Sequence, residues 1–155
     1  MPTMIWFADL VEPVENFQKF FNRPDNKILD HRNVWLVNYR NMGHSDHHAS
    51  FSMDVSKFYF DVLKEIAADV MRFMDAQKLT MATLGGHGFG AKVALATATA
   101  NLNRCTGIVA LDGGPLDHTH YEAYQELSSY VQYCASLPVD KLDLAQATKR
   151  INDNV

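Results

Sequence analysis

The chain has 155 residues, 47 % of them apolar and 21 % charged, which suits one compact domain and excludes a disordered or fibrous chain. Lys and Arg number 14 against 18 Asp and Glu, giving a net charge of −4 with no basic run. That balance argues against binding nucleic acid or an anionic membrane surface through charge, and no apolar stretch approaches the roughly 18 residues of a membrane span.

Short apolar runs alternate with helical patterns along the chain. Met4 to Ala8 predicts a buried strand, and Val14, Phe17, Phe20 and Phe21 have helical spacing. Val34 to Val37 predicts a second strand and Met53 to Gln77 a long helix. Thr80 to Leu84 follows as a strand, Phe89 to Ala100 as a helix of small residues, and Thr106 to Leu111 as another strand. Continuous apolar runs separated by helices imply parallel strands covered on both faces. From Tyr121 to Ser136 and from Lys141 to Ile151 the pattern is helical with no further strand. The chain therefore divides into a sheet core over 1–117 and a helical, cap-like region over 118–155 of a single domain.

The most specific segment joins the third strand to the small-residue helix: Gly85-Gly86-His87-Gly88-Phe89-Gly90. Strand, tight turn and helix in that order is the setting of a G-x-S-x-G nucleophile elbow. There the central residue takes a strained backbone and its flanking glycines allow close approach. Gly86 and Gly90 keep the flanks, while Gly88 stands where the nucleophile belongs.

Three other segments agree with this turn. Asn38-Tyr39-Arg40-Asn41-Met42-Gly43-His44-Ser45 resembles the D-x-R-x-x-G-x-S turn of α/β-hydrolases. Phe51-Ser52-Met53 with Ala67-Ala68-Asp69-Val70 resembles the helix leading into the elbow, and Leu111-Asp112-Gly113-Gly114-Pro115 resembles the D-x-x-P strand end before the cap. Together, over roughly residues 4 to 152, they resemble the small esterase-like branch of the α/β-hydrolase superfamily, which includes a mitochondrial esterase. The resemblance implies a partial α/β-hydrolase-like parallel sheet of about four strands flanked by helices.

Acyl transfer requires a nucleophile, a base, an orienting acid and an oxyanion hole. Gly88 has no side chain with which to attack. The resemblance places one oxyanion donor in the Ala8-Asp9-Leu10 stretch, where Asp9 has the wrong charge. It places the catalytic His and the usual acid beyond residue 155. His87 and Ser45 therefore read as supports of their turns, and Asp112 as structural. His44, His47 and His48 with Asp46, and His118 with His120, read as solvated loop side chains rather than metal ligands, and no cofactor is implied.

If the family's strand order holds, Val34–Val37, Met4–Ala8, Thr80–Leu84 and Thr106–Leu111 lie side by side in that order. Ile108, Val109, Ala110 and Leu111 then form an apolar edge, to be covered by a second polypeptide or by the C-terminal helices. About ten residues, Ser56 to Glu65, are added to the family pattern in the long helix. Its apolar positions form two stripes (Val55, Tyr59, Val62, Ile66, Val70 and Phe73; Phe60, Leu63, Ala67, Met71 and Met74), with Phe58, Tyr59 and Phe60 as a candidate docking patch.

The expected function is that of a non-catalytic, structural or docking subunit of a protein assembly. The alternatives are one half of a split hydrolase and an acyl-type binding module. Cys105 and Cys134 have neither metal nor disulfide-scaffold spacing and predict buried thiols in a reducing, intracellular compartment. Mitochondrial residence is implied by the resemblance alone. The first 22 residues hold one Lys, no Arg, and Asp9, Glu12 and Glu15, unlike a transit peptide.

Overall fold

The computed structural model describes residues 1–10, 12–48, 55–115, 122–138 and 141–153. It divides into two compact units, residues 1–52 with 60–116 and residues 53–59 with 117–155. In chain order the elements are β1 (Thr3–Phe7), α1 (Glu15–Phe21), β2 (Asn33–Val37), α2 (Val55–Ala76), β3 (Ala82–His87), α3 (Phe89–Ala100), β4 (Cys105–Leu111), α4 (Glu122–Ser136) and α5 (Leu144–Asn152).

The four strands form one parallel sheet in the order β2-β1-β3-β4, the order expected from the resemblance. β1 is buried on both faces. Met4 and Trp6 point to one side, where Trp6 packs on Phe17 and Phe21 of α1 at ring distances of 5.1 and 5.6 Å. Ile5 and Phe7 point to the other and are fully buried. From Met4 to Phe7 the strand is apolar at every position because water reaches neither face.

In α2, both apolar stripes bury side chains: Val62, Ile66 and Val70 on one, Leu63, Ala67 and Met74 on the other. The side chains of Phe58, Tyr59 and Phe60 lie outside the described residues. α3 is built of small residues because it runs close over the sheet, with Ala91, Val93, Ala94, Thr97 and Ala98 buried.

Three local expectations are corrected. The third strand starts at Ala82, not Thr80, and continues through Gly85 and Gly86 to His87. Gly85 pairs with Trp6 and Val109, and a Cβ on it would stand 2.6 Å from the Trp6 ring, so packing selects a residue of poor strand propensity. The last helix begins at Leu144 rather than Lys141, capped by Asp143, whose Oδ1 accepts the Gln146 N–H at 2.7 Å. Cys105 and Cys134 are half-buried free thiols, not buried ones.

Candidate functional site: the strand ends at the β1–β3 junction

From β1 the chain crosses first to β2 on one side and later to β3 on the other. The carboxyl ends of β1 and β3 therefore flank a topological switch point, where open α/β sheets form their ligand crevice. The loop after β1 carries Asp9 and Glu12, and the β3–α3 turn carries His87, Gly88 and Phe89.

Gly88 links β3 directly to α3 with φ +55° and ψ −117°, a backbone that disfavours any L side chain. Its N–H donates to the Leu111 carbonyl of β4 at 2.9 Å, which fixes the turn to the neighbouring strand. A Cβ at residue 88 would lie 2.3 Å from Asp9 Oδ2 and 2.7 Å from Oδ1. The flanking glycines serve close approach: a Cβ on Gly90 would stand 2.2 Å from the Phe7 carbonyl oxygen, and one on Gly86 would meet the Gly90 backbone at 2.2 Å. Phe89, at the helix start, is buried and meets Tyr39 edge-on at 5.7 Å.

The Asp9 carboxylate is at the centre of this arrangement. Its Oδ1 accepts the N–H of Leu10 and the N–H of Phe89, both at 2.8 Å. Beneath the loop, the Tyr39 hydroxyl donates to the Ala8 carbonyl at 2.6 Å, and its ring stacks on Phe7. Burial pushes the Tyr39 phenol well above its ordinary range, and the Asp9 charge adds to the shift.

His87 supports the turn from the α1 side. Its Nδ1 lies 2.9 Å from Glu12 Oε2, its ring approaches Phe17, and about a third of its side chain is exposed. Its Nε2 is 3.9 Å from a carboxylate oxygen of Asp112, whose side chain is almost wholly exposed. Neither Glu12 nor Tyr39 stood out in the sequence as a site residue. The available signal was topological, since Glu12 follows the strand that borders the switch point and Tyr39 follows β2.

The Arg40–Ser45 turn is structural in its geometry. Ser45 Oγ donates to the Asn38 carbonyl at 2.8 Å, Gly43 takes φ +55°, and Arg40 forms a two-pronged ion pair with Asp69 of α2. His44, His47, His48 and Asp46 form no metal-binding group with other His, Cys, Asp or Glu among the described residues. His118 and His120 lie outside the described residues.

At the β4 edge, Ile108 is 44 % and Leu111 46 % exposed, while Val109 packs on the Trp6 side of the sheet. A cavity of about 350 Å³ lies elsewhere, between the β1 and β2 ends and α2, floored by Ile5, Phe7, Val37, Ile66, Val70 and Phe73. None of residues 86–90 lines it. No described helix is long and apolar enough to cross a membrane.

A family profile described as the alpha/beta hydrolase fold matches residues 9–134. No curated protein matches the chain. Among solved structures, an esterase from a marine microorganism is similar at a TM-score of 0.74 and 18 % identity, over 99 % of this chain and 54 % of the esterase. A Bacillus megaterium epoxide hydrolase gives a TM-score of 0.64 and 13 % identity, over 99 % of this chain and 54 % of the hydrolase. An extracellular alpha/beta-hydrolase from a Paenibacillus species gives 0.62 and 18 %, over 98 % of this chain and 65 % of its own. The chain thus spans about half the length of the esterase and the epoxide hydrolase.

Proposed function

Because the chain belongs to the α/β-hydrolase fold family, we propose that it is a non-catalytic member serving as a structural or docking subunit of a larger protein assembly. The observation that carries this reading is Gly88. The elbow keeps its strand–turn–helix geometry, yet its central residue has no side chain to form a covalent acyl intermediate.

The docking half of the reading is supported by β4. Its sequence, Cys-Thr-Gly-Ile-Val-Ala-Leu, has no charge and no proline, the devices that natural edge strands use against pairing. It hydrogen-bonds on one side only within the described sheet. A partner strand added there would bury Ile108 and Leu111 and satisfy the outer backbone groups. The proposed location is a reducing compartment, with the mitochondrion suggested by family resemblance; the two free thiols are compatible with it.

Native mass spectrometry of the protein from its own source tests the proposal. A stoichiometric complex with a second polypeptide is expected, and the 17.5 kDa monomer alone would overturn it. A second reading, a binding module for a small amphipathic molecule, draws support from the apolar cavity beside α2, and ligand-dependent stabilisation would favour it.

A further inference from the structure

Asp9 and the elbow meet across 80 residues of sequence. The Leu10 and Phe89 N–H groups converge on a single point, occupied by Asp9 Oδ1 at 2.8 Å from each nitrogen. One donor belongs to the residue after the elbow centre and the other to the loop after the adjacent strand. A hydrolase elbow draws its oxyanion donors from that pair of positions. The other carboxylate oxygen, Oδ2, stands 2.3 Å from where a residue-88 Cβ would be, so the same side chain fills the space in front of Gly88.

We propose that Asp9 is a built-in plug: an internal carboxylate that takes the oxyanion position of the elbow and closes it, independently of the missing nucleophile. The proposal deepens the non-catalytic reading and rests on it, but concerns what the two amides hold rather than what the whole chain docks to. Two amide donors aimed at one point in a part-buried turn are costly to leave unpaired, and a carboxylate bonds both with charge-assisted hydrogen bonds. The N-terminal end of α3 adds a favourable field for that charge. A β-carbon at residue 88 and the Asp9 carboxylate therefore exclude each other. Removing the carboxylate leaves a vacant receptor for a small free carboxylate.

The test is chemical rescue. Asp9→Ala is expected to lower Tm by about 4 °C. Sodium formate should restore at least half of that loss saturably, while sodium chloride at equal ionic strength restores none and the unaltered protein ignores both. In a double-mutant cycle, Gly88→Ala should cost clearly less Tm in the Asp9→Ala background than in the unaltered one, because the carboxylate that the added methyl would strike is then gone. An unchanged Tm in Asp9→Ala, formate acting no better than chloride, or strictly additive costs would each overturn the proposal.

Should Asp9→Ala not fold, NMR of the unaltered chain decides. Scalar couplings through the hydrogen bonds should link the Leu10 and Phe89 amide nitrogens to the Asp9 carboxyl carbon, and coupling to only one of the two amides would overturn the proposal. A failed rescue leaves the mass-spectrometric result untouched, and a lone monomer leaves the rescue untouched, so the two readings fail separately.

Discussion

Arg40 and Asp69, 29 residues apart, are joined by a two-pronged ion pair in which Arg40 Nε donates to Asp69 Oδ2 at 2.5 Å and a second guanidinium nitrogen donates to Oδ1. The pair ties the turn after β2 to the middle of α2, and Arg72 adds a third donor to the same carboxylate at 2.6 Å. Both partners are partly exposed, so solvent screening trims the energy. Arg40→Ala is expected to cost about 1–2 kcal/mol, read as a lower urea midpoint at unchanged slope. Arg40→Lys should recover less than half, because an ammonium cannot form the two-pronged pair.

Tyr39 gives the fold an alkaline limit. Its phenol is buried against Phe7 and Phe89 and bonded to the Ala8 carbonyl, and its folded value is raised well above the ordinary value of 10.0. The folded state therefore keeps a proton that the unfolded chain releases as pH passes about 10. The Tyr39 contribution is fully present below that pH and is lost as pH climbs beyond it. Stability measured by urea titration should fall from pH 10 upward, and Tyr39→Phe should flatten that part of the profile. A profile unaltered by the substitution would contradict the assignment.

Gly90 offers a test whose sign is diagnostic. Within a helix, alanine ordinarily beats glycine by about 1 kcal/mol. Here the new methyl would meet the Phe7 carbonyl oxygen at 2.2 Å, backbone against side chain with no flexible group to yield. Gly90→Ala should therefore destabilise by about 3 kcal/mol in thermal or urea unfolding. A neutral or stabilising result would mean that α3 can move away from β1.

The β4 edge separates association from stability. Ile108 is 44 % exposed, so Ile108→Lys should change the chain's own stability by only about 0.5 kcal/mol or less. The same lysine on an edge opposes strand addition. The variant should lose partner capture in pull-down while retaining its melting temperature. Undiminished capture would move the docking surface away from β4.

Much of the fold is legible in the sequence because it is locally encoded. Every residue of Met4-Ile5-Trp6-Phe7 is apolar, which marks a strand buried on both faces, and the Ala- and Thr-rich run after Phe89 marks a helix pressed on a sheet. The strand order followed from the family resemblance carried by the Arg40–Ser45 and Gly86–Gly90 segments. Local propensity ends the third strand at Leu84 because Gly85 and Gly86 weaken it, whereas the structure carries the strand on to His87. Only the Trp6 ring lying against Gly85 turns that weakness into a requirement.

By itself the sequence determined that Gly88 sits in a tight turn between a strand and a small-residue helix, which requires no knowledge of distant groups. The family resemblance, in turn, implied that Asp9 lies where an oxyanion donor is expected. Tertiary structure alone decided where that charge goes: onto both the Leu10 and Phe89 amides, with Glu12 alongside on His87. The reason is physical. Periodicity and turn chemistry record neighbours within a few residues. A hydrogen bond spanning 80 residues exists only once the β1–β3 register has brought two strand ends together and set the Asp9 side chain beside both amides.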